Sequence, residues 1–252
     1  MDLLMNQKFC EMKIITALLL TIMFFISGLS AQNANEMLLQ SASADLLQQS
    51  ADLSESLPYY TFNKGKKGNV KGTKFLDDNW QDGVILSTGD KLYNAQMRYD
   101  AVNDEVEIFN EGKSKALSPE KVKGVRIGDL ILISYPAVLD NAKSVSSTFL
   151  EVLVEGEASL YKRRFAIVEE IYEVRPTEGK VPTGDVKIVH KEHYYYATKE
   201  RPAARLKTNK NSVMDVLSRH RKAVARHAKE NELSPKDEKD LIALFQFYNE
   251  KS

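Results

Sequence analysis

The chain has 252 residues, with 35 Lys and Arg against 35 Asp and Glu, so its formal net charge is zero. That balance excludes a globally basic nucleic-acid binder and an acidic-tail protein, and leaves local asymmetry as the place to look. With 43% hydrophobic and 28% charged residues, twelve Gly and seven Pro, the composition is globular, neither collagen-like nor disordered.

Lys13 precedes thirteen uncharged residues, Ile14 to Ile26, and the small residues Ser27-Gly28-Leu29-Ser30-Ala31 follow. A positive start, a short apolar stretch and a small-residue exit predict a secretory signal peptide over residues 1–31, cleaved after Ala31. As a helix the apolar stretch spans roughly 20 Å, short of the ~30 Å hydrocarbon core, so cleavage is expected in place of an anchor. Met12-Lys13 would open such a peptide by itself, so Met12 is an alternative start to Met1. The single cysteine, Cys10, lies ahead of the apolar stretch, so the mature chain is expected to hold no disulfide and no thiolate site. Cleavage removes two charges of each sign, and the mature chain stays neutral.

Residues 32–72 read as an N-terminal arm and linker. Its first part carries Glu36, Asp45, Asp52 and Glu55 and no cation, and Leu39, Leu46 and Leu53 recur every seven residues. Two heptad intervals are too few for a coiled coil, so a helical or flexible arm is expected. Asn63 to Gly72, a Gly/Lys loop, marks the boundary.

Residues 73–198 carry strand signals. Gly83–Ser87 and Lys91–Tyr99 flank the turn Thr88-Gly89-Asp90, and Glu105–Phe109 follows Asn103-Asp104. Val122–Ile127 and Leu130–Tyr135 are separated only by Gly128-Asp129, a two-residue hairpin signal. Phe149–Glu155, Ala158–Val168 and Val186–Tyr196 complete the series. Gaps this short permit antiparallel neighbours and exclude crossovers. The expected fold is mainly β: an antiparallel roll, sandwich or small barrel of about eight to ten strands. Residues 199–252 change period and predict a basic segment and a C-terminal two-helix hairpin. Its first helix is expected from Ser212 to about Asn231. The second is expected to open at Ser234-Pro235 and to bury Leu241, Leu244, Phe245 and Tyr248.

Charge is the sharpest local feature. Residues 199–229 hold ten Lys and Arg against Glu200 and Asp215. On a continuous helix Arg219, Lys222, Arg226 and Lys229 fall within an arc of about 80°. That stripe is the candidate binding site for an anionic envelope component, and a solvated helix face is the competing reading. His220 and His227 lie opposite it and read as packed histidines; seven residues apart, they are too distant to share a metal. His190 and His193 point to opposite faces of a strand. Asp77 to Gly83 resembles a calcium loop but fits neither register, and reads as a polar turn with Trp80 at the edge of the core. Tyr194-Tyr195-Tyr196 suits a strand buried on both faces.

No nucleophile elbow, phosphate-binding glycine loop or zinc-protease motif is present. The adjacent pairs Asp77/Asp78 and Glu169/Glu170 do not make a catalytic pair, because sequence neighbours on a strand face apart. The expectation is therefore no cofactor, no metal, no nucleic acid and no catalysis. A carrier of small apolar ligands in a closed β-barrel and a carboxylate-dependent hydrolase are the alternatives.

Gly72–Phe109 (GTKFLDDNWQDGVILSTGDKLYNAQMRYDAVNDEVEIF), Phe149–Arg164 (FLEVLVEGEASLYKRR) and Asp240–Glu250 (DLIALFQFYNE) resemble blocks of a group of exported proteins of Bacteroidetes-type bacteria. The resemblance implies a Gram-negative envelope location, in the periplasm or at the outer membrane. It carries over no catalytic or binding residue, because no activity is established for the group. A non-catalytic exported binding or structural protein of the envelope, with an anionic component or a protein as partner, is the expected function. After cleavage it is not expected to be integral to a membrane.

Overall fold

Apolar runs joined by a few residues can close hydrogen bonds only with their sequence neighbours. The computed structural model describes residues 36–38, 69–110, 113–139, 144–198 and 202–252. The expected signal peptide, the leucine heptads and the start of the Gly/Lys loop lie outside the described residues; residues 36–38 are helical. Among the described residues eleven strands form one sheet. They are β1 (Val70–Lys71), β2 (Gln81–Ser87), β3 (Leu92–Asp100), β4 (Glu105–Asn110), β5 (Lys113–Leu117), β6 (Val122–Ile127), β7 (Leu130–Val138), β8 (Val145–Val154), β9 (Ala158–Arg175), β10 (Gly179–Thr198) and β11 (Ala203–Leu206).

The hydrogen-bonded order is β1-β10-β9-β8-β7-β6-β2-β3-β4-β5, antiparallel except where β1 joins β10. β11 pairs antiparallel with β10 and parallel with β7, so β7 through β11 close a five-stranded ring. From β7 the sheet continues through β6, β2, β3, β4 and β5 without closing. The fold is thus mainly β with C-terminal helices, as expected, but it is not a clean barrel. β11 lies in the segment that composition alone reads as basic tail.

Alternation along these strands separates three apolar clusters. One lies inside the ring: Ile133 and Ala137 of β7, Leu150 of β8, Tyr161 of β9, Tyr195 and Ala197 of β10 and Ala203 of β11, joined by Leu38. Leu38 is fully buried, and a Cβ on Gly124 would stand 2.8 Å from its Cδ1 and 2.7 Å from the Leu132 carbonyl. Glycine on β6 is what admits that leucine. A second cluster, including Tyr93, Met97, Tyr99, Val106, Leu117, Val125 and Phe149, covers one face of β2–β6 and reaches β8 and β9. Asp104, at φ 57°, fastens that closure. Its Oδ1 accepts from the Tyr99 hydroxyl at 2.6 Å and from the Phe149 amide at 3.3 Å, and its Oδ2 accepts from Thr148.

The third cluster sits outside the ring, under the helices α1 (Lys210–Val216), α2 (Arg221–Glu230) and α3 (Glu238–Glu250). Leu241, Leu244, Phe245 and Tyr248 of α3 are buried, as expected. Each contributes about 1.5–3 kcal/mol by leaving water, and the four together exceed the roughly 0.5–2 kcal/mol of a cap, so packing holds this helix in place.

Two helical expectations are corrected. The single helix over Ser212–Asn231 is interrupted: Leu217 leaves helical geometry at ψ 30°, and a 3-10 turn, Ser218–His220, precedes α2. The fully buried Leu217 side chain in the third cluster shows tertiary packing overriding periodicity there. α3 is capped by Asp237, not by Ser234. The Asp237 carboxylate accepts from the Lys239 and Asp240 amides, while the Ser234 amide donates to the Asp240 side chain at 2.9 Å.

Beyond the body, β9 and β10 run on as a two-stranded arm. From Glu169 to Gly184 most of its residues are exposed.

Candidate functional site

The basic stripe divides on the break at Leu217. Lys222, Arg226 and Lys229 lie on α2 at spacings of four and three, exposed along one stripe. The opposite side of α2 buries Val224 and Ala228. Among the described residues no carboxylate lies within ion-pair distance of these three cations. Arg219 sits instead on the 3-10 turn, where it pairs with Glu157, in the β8–β9 turn, at 2.6 Å. Arg221 pairs with Asp215 across the break at 2.7 Å. The four-residue stripe expected from a continuous helix therefore reduces to three cations free of acidic partners and one that is neutralised.

A residue outside the expected stripe joins it. On one unbroken helix Lys210 and Lys229 would stand about 28 Å apart. The break folds α1 back against α2, and both lysines line a groove of about 290 Å³ with Met214, Leu233 and Glu232. Nothing in the sequence marks this: Leu217 is neither Gly nor Pro, and the signal is tertiary.

The histidines pack as expected. His227 stacks on Phe247, ring centroids 4.0 Å apart and planes within 3°, and His220 meets the edge of Tyr248 at 5.4 Å. His190 contacts the Thr73 carbonyl, whereas His193, on the other face, lies against Phe165 and Arg205. No cluster of three metal-ligating side chains occurs among the described residues. Asp77 accepts hydrogen bonds from Asn79 and Gln81, and Trp80 packs on Phe109 beneath the Arg98 guanidinium. The segment is a polar turn into β2. Tyr195 points into the ring, while Tyr194 and Tyr196 pack toward the helices.

The most enclosed carboxylates are Asp100 and Glu107, bridged by Lys74 at 2.7 Å to each. Glu107 also accepts from Arg98 and Ser114, and Asp100 from the Val102 and Asn103 amides. These oxygens are committed to partners and sealed from solvent, an arrangement for holding β3, β4 and the chain before β2 together. Glu169 and Glu170 face apart, as expected. Hydrogen bonding to Lys187 holds the Glu169 carboxyl below its ordinary range, opposite to what a general acid needs, and Glu170 accepts from Tyr172. The ring interior, where a carrier would keep its ligand, is filled by the Tyr161, Tyr195, Leu150 and Ile133 side chains.

Among the described residues no helix is long and apolar enough to cross a membrane. Compared with known protein families, curated proteins and solved structures, the chain finds no match.

Proposed function

We propose that this protein is an exported, non-catalytic binding module of a Gram-negative cell envelope, and that α2 lays its cationic stripe on an anionic envelope surface. One observation carries the reading: Lys222, Arg226 and Lys229 are exposed together with no acidic partner among the described residues, while Arg219 and Arg221 beside them are paired. The apolar segment from Ile14 to Ile26 supports export. Each cation near a negative surface contributes about 1 kcal/mol. Three of them with Lys210 give a contact of roughly 4 kcal/mol, near millimolar for one copy. Such binding is reversible and salt-sensitive.

Flotation with vesicles at low salt tests the proposal. The protein should rise with phosphatidylglycerol vesicles and not with phosphatidylcholine ones. Reversing Lys222, Arg226 and Lys229 to Glu should abolish flotation, and Arg219→Glu alone should leave most of it. Equal flotation of the triple variant would refute the stripe, and recovery of the mature chain only from the cytosol would refute export.

A further inference from the structure

Both edges of the distal β9–β10 arm are open among the described residues, but that of β10 is blunted by Pro182 and by Gly184 at φ 84°, which leaves the β9 edge as the regular one. β9 pairs with β10 from Ala158 to Arg175, with a bulge at Thr183–Asp185 of β10 opposite Ile171, but with β8 only through residues 160–162. Further along, the Ala166 amide points outward and donates to the Ala101 carbonyl. By the two-residue period of a strand, the amides of Val168, Glu170, Tyr172 and Val174 point the same way. Among the described residues these four meet no acceptor. The side chains beside that edge are apolar and exposed: Val168 at 50%, Tyr172 at 52% and Val174 at 76%. A row of unpaired amides flanked by exposed apolar side chains is a template for another strand.

We propose that this edge is an interface between two copies of the chain, their β9 strands pairing antiparallel about a two-fold axis centred on Tyr172. Charge pattern selects both the occupant and the register. Centred on Tyr172, Glu169 of each copy faces Arg175 of the other, Glu170 faces Val174, and the two Tyr172 rings meet. Opposite charges and aromatic pairs across strands are favourable. Centring on Ile171 would set Glu169 against Glu173, and centring on Glu170 would set that residue against itself, both unfavourable. The acidic residues of this edge therefore disfavour the registers centred on Glu170, Ile171 and Glu173, and centring on Val174 would leave only a short overlap before the turn at Pro176. Within each copy Arg175 lies between Glu173 and Glu178 and Glu169 is paired with Lys187, so the approach of Glu169 brings a cation with it and extends an existing ion-pair network. The interface is independent of the α2 reading, although two copies would present two cationic faces.

Light scattering and cysteine cross-linking of the full chain, in a Cys10→Ser background, test it. The mass should rise from one chain to two between nanomolar and high micromolar concentration. Tyr172→Pro removes both the outward amide and the ring at the centre of the interface, takes no β10-facing amide away, and should keep the mass at one chain. Directly opposed residues lie about 5.5 Å apart, within disulfide reach, so Tyr172→Cys should cross-link on mild oxidation far more than Ile171→Cys or Glu170→Cys. A single-chain mass at every concentration would overturn the interface. Preferential cross-linking at Ile171 or Glu170 would overturn the register.

Discussion

A buried ammonium decides how the last helix sits. The side chain of Lys162 on β9 is 5% exposed, and it meets Glu238, the first residue of α3, at 2.5 Å. Glu238 also accepts from the Tyr194 hydroxyl at 2.7 Å. Burial pushes the Glu238 carboxyl up, but the bonds from Lys162 and Tyr194 outweigh it and leave the group below its ordinary value of 4.5. A carboxylate depressed in the fold contributes stability above its unfolded value, and that contribution fades as pH falls through the folded one. The urea midpoint should therefore drop on acidification below about pH 4.5, and Glu238→Gln should flatten that part of the profile. At neutral pH the same substitution should cost about 2 kcal/mol, because breaking a buried pair costs about 3–5 and this carboxylate is about a third exposed. A pH profile identical to that of the unmodified protein would remove Glu238 from the explanation.

At its far end α3 is tied down again. The Asn249 side chain accepts from the Ala158 amide at 3.0 Å and donates to the carbonyls of Ala158 and Glu155, gripping the β8–β9 turn. Asn249→Ala should destabilise the fold by about 1–3 kcal/mol, the cost of leaving buried backbone groups unsatisfied. Hydrogen exchange should rise first at the Ala158 amide; unchanged protection there would contradict the clamp. The buried face of α3 was legible because Leu241, Leu244, Phe245 and Tyr248 repeat at helical spacing, and β6 was legible from Val122 to Ile127 with both ends right. The break at Leu217 was not, since it carries no Gly or Pro and follows from packing. β11 was hidden because Ala203-Ala204-Arg205-Leu206 is short and set among cations. The distal arm was hidden because exposed strands have no buried face to impose alternation. Of the site, the α2 stripe was legible from helical spacing. The Arg219 partner, 62 positions away at Glu157, and the approach of Lys210 to Lys229 depend on tertiary structure.

For the whole molecule, zero net charge conceals a division. Residues 32–58 carry four acids and no base, and residues 199–229 carry ten bases and two acids. Folding neutralises part of the second segment through Glu157 and Asp215 and leaves the α2 stripe facing solvent. Among the described residues the ring is filled, the enclosed carboxylates are held by Lys74 and Arg98, and the histidines are packed, while the α2 stripe is exposed; the proposed function rests on that stripe. The most direct test is the salt dependence of binding by the unmodified protein to phosphatidylglycerol vesicles. Each cation that displaces a counterion adds to the steepness with which affinity falls as salt rises. Four contacting cations give a logarithmic slope of about −3.6, shallower by about one for each of Lys222→Gln, Arg226→Gln and Lys229→Gln. Binding that is insensitive to salt, or a slope unchanged by these substitutions, would contradict binding through the stripe.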